Sequence, residues 1–182
     1  MLHQILHRLK SSRVLFALLA AMFMSQAAWA EDALSDVWTG NGTQSNPYII
    51  TTTEGLDKLA REVNSGNTFK DMYFELGADI EYGSKPLTID LDGDGPNLSN
   101  FTPIGNEDHD FSGKFDGKGH TVSGIVVRSN SNNMGLFGIA GKTGINTESI
   151  KNLKLANSTF EGNKYVGGIV GHNDYASTAD DL

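Results

Sequence analysis

The chain opens its folded part with a helical pattern and then abandons it. Leu56, Leu59, Ala60 and Val63 fall at i, i+3, i+4 and i+7, which is one face of a helix. Thr51-Thr52-Thr53 supplies capping hydroxyls, Glu54 suits the positive N-terminal end, and Asn64-Ser65-Gly66 is a stop signal. One short helix cannot bury such a face alone, so the pattern predicts that it lies against another element. After Gly66 the apolar positions recur in short stretches, several of them at every second residue. Strands are predicted at Tyr48–Thr51, Met72–Leu76 with an extension at Asp79–Ile80, Leu87–Leu91 and Lys114–Phe115. Others are predicted at Thr121–Val127, Ser149–Leu155 and Gly168–Val170. Gly, Asn, Asp and Ser fill the gaps, so the predicted body is all-β.

The apolar pattern also repeats. Val122, Ile125 and Val127 match Ile150, Leu153 and Leu155 at an offset of 28 residues. Gly135-Leu136-Phe137-Gly138 matches Gly168-Ile169-Val170-Gly171 at an offset of 33, which implies a five-residue difference in the intervening turn. Each unit reads as a strand, a polar turn (Ser129 to Asn133, Asn157 to Lys164) and a glycine-bounded strand. A repeat of this size with two or more short strands suits one coil of a parallel β-helix; a β-sandwich is the alternative, in which the repeat is coincidence. In the β-helix reading the helix caps the first coil and covers an exposed sheet end. No corresponding cap follows the second unit, so a chain truncated at its C-terminal side is expected.

The first thirty residues stand outside this pattern. Arg8, Lys10 and Arg13 precede the apolar run Val14 to Met24, and Ala28-Trp29-Ala30 fits a small-x-small cleavage site. The run is short for a membrane span, and an uncleaved anchor is the alternative reading. The expected organisation is a signal peptide at 1–30 cleaved after Ala30, an opening segment at 31–48, and a capped β-helix at 49–182. No membrane span is expected after cleavage, and the destination is secreted or cell-surface.

Charge and composition sharpen that picture. The chain has 14 basic and 22 acidic residues, and loss of Arg8, Lys10 and Arg13 makes the exported part more acidic still. Such a balance argues against nucleic acid as a partner. The 182 residues include no Cys, which excludes disulfides, thiolate metal sites and a Cys nucleophile. Export into an oxidising space without Cys leaves packing, hydrogen bonds and metal to hold the fold.

Several stretches resemble a known family. Gly135-Leu136-Phe137-Gly138 and Tyr165-Val166-Gly167-Gly168-Ile169-Val170-Gly171 resemble the GLUG motif of large secreted bacterial surface proteins, adhesin-like proteins among them. Asn46-Pro47-Tyr48-Ile49-Ile50, Tyr73 to Ile80, Phe101 to Gly105 and Phe111 to Gly124 resemble the lead-in of such proteins. The resemblance covers roughly residues 38–171. It implies a right-handed parallel β-helix at the cell surface, and it implies no peptidase activity here.

The sharpest chemical signal is Asp90-Leu91-Asp92-Gly93-Asp94-Gly95. Asp90, Asp92 and Asp94 alternate like the opening of a calcium loop, but Phe101 stands where an EF-hand needs its bidentate Glu. Asn97, Asn100 or backbone carbonyls are candidates to complete a Ca2+ shell; an acidic solvated turn is the other reading. Glu107-Asp108-His109-Asp110 has carboxylate and imidazole chemistry but follows a turn signal, which favours a solvated loop. His120 lies near Asp116 in sequence, with no activated nucleophile context around it. No catalytic or cofactor-binding constellation is visible. The reading is a non-enzymatic, adhesin-like module whose partners are an extracellular glycan or a cell-surface protein. The alternatives are the front of a secreted β-helix polysaccharide lyase or glycosidase, or the passenger region of a surface peptidase.

Overall fold

The computed structural model describes residues 37–141 and 150–173. The expected signal segment and its cleavage site after Ala30 lie outside the described residues. So does the acidic end at Asp180-Asp181. The described residues form an all-β body with one helix, and its sheets are parallel except for one hairpin.

Strand β1 (Tyr48–Ile50) leads into helix α1 (Thr53–Asn64). The Thr52 hydroxyl accepts from the Gly55 N–H at 3.2 Å, so the predicted threonine run does cap the helix. Leu56, Leu59, Ala60 and Val63 are all buried. They join the same core as Ile50, Phe74 and Tyr82, which is the packing partner that the helical face required. Burying each large side chain there contributes roughly 1.5–3 kcal/mol.

The strands that follow are short. They are β2 (Tyr73–Leu76), β3 (Ile80–Glu81), β4 (Ile89–Asp90), β5 (Leu98–Ser99) and β6 (Lys114–Asp116). Then come β7 (Thr121–Ser123), β8 (Val126–Arg128) and β9 (Phe137–Ala140). The last are β10 (Ile150–Lys151), β11 (Lys154–Ala156), β12 (Thr159–Glu161) and β13 (Val170–Asn173). β1, β2, β6 and β10 line up side by side, which places Tyr48, Phe74, Phe115 and Ile150 in one column. β3, β7 and β11 form a second parallel row through Ile80, Val122 and Leu155. β8 pairs with β12 and β9 with β13.

These pairings correct the repeat register. Val122 lies beside Leu155, Val127 beside Phe160 and Phe137 beside Val170, so a single offset of 33 residues runs through all three pairs. The offset of 28, and the five-residue difference in the turn, do not occur: Ile150 pairs with Phe115 instead. Two predicted strands also break in two. Thr121–Val127 divides at Gly124, whose φ is +73°; a Cβ there would lie 2.3 Å from the Gly83 nitrogen. Ser149–Leu155 divides at Asn152, which takes φ +52°. A residue in the left-handed region turns the chain and ends the pleat, so one apolar run supplies two strands on different rows.

Aromatic rings fill the inner columns. Phe74 packs against Trp38, Phe69 and Phe111, and Phe111 leads on to Phe137 and Phe115 through centroid separations of 5.2 and 5.3 Å. The last described pass is less covered. Ile150, Leu155, Phe160 and Val170 are half-buried, whereas their neighbours Phe115, Val122, Val127 and Phe137 are buried.

Candidate functional site

The Asp-rich segment is the tip of the antiparallel hairpin β4–β5, in which Ile89 pairs with Ser99 and Asp90 with Leu98. Only Ile89–Asp90 of the predicted strand Leu87–Leu91 is in the ladder, and the rest becomes the turn. Asp90 is the first residue of that turn. Its two carboxylate oxygens accept from the Gly93 and Gly95 N–H groups at 2.8 and 3.2 Å, which curls the tip back on itself. Gly93 and Gly95 have φ of +76° and +85°, the conformations that expose those N–H groups inward.

Asp92 reaches the next pass of the chain. Its Oδ2 accepts from the Ser129 hydroxyl at 3.1 Å and from the Asn130 backbone N–H. Asp94 Oδ2 accepts from the side-chain amides of Asn97 and Asn130, both at 2.8 Å. One ligand oxygen from each of Asp90, Asp92 and Asp94 lies within 4.8 Å of the others. Three anions at that spacing repel, and the surrounding N–H donors relieve part of the repulsion. The effect is visible at Asp92, where the Asn130 N–H, assisted by the Ser129 hydroxyl, holds the carboxyl below the ordinary carboxylate range. Each carboxylate offers about four lone-pair sites, so oxygen capacity remains for a hard cation such as Ca2+.

Asn97 belongs to this tip, but Asn100 does not. Asn100 is buried, and its amide donates to the Tyr82 and Gly124 carbonyls at 3.1 and 3.0 Å while accepting from Val126 N–H at 2.8 Å. It staples two neighbouring passes of the chain and is unavailable to an ion at the hairpin.

The other sequence candidates disperse. In Glu107-Asp108-His109-Asp110, expected to be a solvated loop, Glu107 and Asp108 are exposed but Asp110 is buried and accepts from the Ser112 hydroxyl at 2.8 Å. His109 Nδ1 lies 3.1 Å from the Asn64 carbonyl at the end of α1. His120 does not meet Asp116. Asp116 accepts from the Lys118 N–H and the Asn152 amide, whereas His120 Nδ1 lies 3.0 Å from Asp79 Oδ1. The parallel pairing of β3 with β7 brings Asp79 there from 41 residues upstream. The Thr121 N–H, followed by His120, keeps the Asp79 carboxyl below its usual range. Sequence reasoning missed this pair because only the register of Ile80 against Val122 reveals it.

Tyr82 and Trp38 are engaged within the fold. Tyr82 is buried, with its hydroxyl 2.8 Å from Asp57 Oδ1, and burial followed by the Asp57 charge pushes its phenol up. Trp38 donates to the Gly55 carbonyl at 2.9 Å and packs with its ring tilted against Tyr48, centroids 5.3 Å apart. Among the described residues, no helix is long and apolar enough to cross a membrane.

Two curated relatives are similar to the chain. A "Putative Gly-rich membrane protein" of Evansella cellulosilytica is 34% identical over 138 residues, which are 74% of this chain and 14% of that protein. "Halomucin" of Haloquadratum walsbyi is 32% identical over 152 residues, 81% of this chain and 2% of that protein. The chain thus spans a small part of the length of either relative. No family model matches the chain, and no solved structure matches it.

Proposed function

We propose that this chain is a binding module of a secreted or cell-surface protein, built as a right-handed parallel β-helix of GLUG-type coils with α1 as its cap. It works through adhesin-like contact with an extracellular glycan or surface protein rather than by catalysis. The observation that carries the reading is the constant 33-residue parallel register from β7–β8–β9 to β11–β12–β13. A register repeated on three successive strands is what stacked coils require, and stacking coils produce a long surface for contact. The relatives' names, a membrane protein and a halomucin, support the location.

A structural Ca2+ joining Asp90, Asp92 and Asp94 belongs to the same reading. It is supported by the convergence of the three carboxylates and by their attachment to Ser129 and Asn130. The ion would tie the hairpin tip to the neighbouring coil and supply cross-linking that a chain without Cys lacks.

The test is expression of the full chain with its leader, followed by N-terminal sequencing of the exported product. That product is then assayed on a glycan array and for release of oligosaccharides from the bound polysaccharides. The expected result is export with Glu31 at the N-terminus and binding without turnover. Retention in the cytoplasm overturns the location, and release of oligosaccharides favours the polysaccharide-active alternative.

A further inference from the structure

Beside the hairpin, and separate from its carboxylates, runs a groove with a cavity volume of about 540 Å3. Its walls come from the 102–108 loop and the 129–134 turn, and Asn64 at the end of α1 also lines it. The turn is held from beneath by the following pass, with Asn163 N–H donating to the Ser131 carbonyl and Asn133 N–H to the Lys164 carbonyl.

The groove contains unsatisfied acceptors. The side-chain oxygens of Asn132 and Asn133 are both buried and accept no hydrogen bond. Asn133 is only 5% exposed. A buried carbonyl oxygen without a donor costs about 1–3 kcal/mol, so two in one wall call for a ligand that satisfies them. The charged side chains among the described lining residues are Glu107 and Asp108, both acidic. Glu107 Oε1 lies 3.5 Å from Asn133 Nδ2, which places carboxylate and amide at the same point of the groove.

Several of the lining amides are engaged within the fold. Asn64 donates to the Pro103 carbonyl and accepts from the Gly105 N–H. Asn106 accepts from the Asp108 and His109 N–H groups, and the Asn130 amide donates to Asp94. The two orphaned amide oxygens and the two carboxylates in its lining favour a ligand that brings positive charge.

We propose that this groove holds a divalent cation, with Asn132 and Asn133 amide oxygens and the Glu107 and Asp108 carboxylates as its protein oxygens. Mixed carboxylate, amide carbonyl and water ligation is the pattern of calcium; magnesium dehydrates reluctantly and rarely takes such a shell. The four proposed ligands lie outside the Asp90–Asp94 loop, which borders the groove through Leu91 and holds Ser129 and Asn130 in its wall.

The test is calorimetric titration of the full exported chain with calcium chloride, at fixed ionic strength, in the Asp92→Asn background. That background removes one of the loop carboxylates and leaves all four proposed groove ligands unsubstituted. One calcium site is expected to remain. Glu107→Gln is expected to weaken it about tenfold, and Asn133→Asp to strengthen it about tenfold, since affinity follows ligand charge. A purely structural Asn133 would not give tighter binding when charged. Absence of calcium binding in Asp92→Asn overturns the proposal, as does an affinity indifferent to both Glu107→Gln and Asn133→Asp. Failure of the loop site alone has a different signature: the unsubstituted chain then shows one site that Asp92→Asn leaves unchanged.

Discussion

Asn100 and Val126 exchange two hydrogen bonds across 26 residues of chain: Asn100 N–H donates to the Val126 carbonyl at 3.0 Å, and Val126 N–H donates to the Asn100 side chain at 2.8 Å. The Asn100 amide also donates to the Tyr82 and Gly124 carbonyls. One buried side chain thus satisfies three backbone groups at a corner where strand pairing stops. Asn100→Ala would leave those groups without partners in the core. The expected loss is about 2–4 kcal/mol of unfolding free energy, with the sum limited by relaxation and water entry. Urea unfolding checks it; a loss under about 0.5 kcal/mol, the range of an ordinary surface change, would show that the staple is dispensable.

The pH dependence follows from the carboxylates held by N–H donors. Asp92 and Asp79 have folded-state values below the ordinary one, so the folded form binds their protons less readily than the unfolded form. Their contribution to stability is fully present above the unfolded Asp value of about 3.9 and disappears as pH falls through the lower folded values. Stability should therefore decline below about pH 4. Asp92→Asn and Asp79→Asn should each flatten that decline. Chemical unfolding midpoints measured between neutral and acidic pH test this, and an unchanged slope in both variants would contradict it.

Calcium at the hairpin tip gives a separate expectation. At a calcium concentration 100 times the dissociation constant, binding to the folded form adds about 2.7 kcal/mol. The melting temperature should rise by several degrees and return to its starting point with chelator. Asp94→Ala should lose the response arising from the tip. Identical melts of the unsubstituted chain in calcium and in chelator would remove the ion from the account.

Core substitutions should cost most where the columns are enclosed. Phe115 is buried between Phe74 and Ile150 in its column, and Phe115→Ala should cost about 3–5 kcal/mol. Phe160 is half-buried in the last described pass, so Phe160→Ala should cost clearly less. Equal losses in denaturant titrations would mean that Phe160 is as enclosed as Phe115.

Much of this architecture was legible in the chain. The helix was plain because Leu56, Leu59, Ala60 and Val63 mark one face and the caps agree with it. The strand-rich body was plain from period-two runs such as Tyr73–Leu76, whose Phe74 and Leu76 point inward. The register was not. Val122, Ile125 and Val127 match Ile150, Leu153 and Leu155 in polarity just as well as they match the true neighbours. Apolar periodicity fixes which face a residue occupies but leaves a shift by an odd number of residues undetected when corners intervene. The corners at Gly124 and Asn152 decide it, and Asn152 carries no glycine to announce a turn. The candidate site was legible in its acids and not in its partners. Asp90, Asp92 and Asp94 converge through local spacing. Ser129, Asn130, the Asp79–His120 pair and the groove at Asn132 and Asn133 depend on which passes lie side by side.

That register is the centre of the account, and the absence of Cys from the chain makes it directly measurable. Val126 and Thr159 are Cα partners in the β8–β12 pair. Adjacent parallel strands bring Cα atoms within the separation a disulfide spans. The measurement is oxidative cross-linking of the double variant Val126→Cys with Thr159→Cys, compared with Val126→Cys with Lys154→Cys, which represents the 28-residue offset. The account predicts an intramolecular disulfide in the first variant and free thiols in the second. Cross-linking of the second variant and not the first would contradict the 33-residue register, and with it the stacked coils on which the proposed binding surface rests.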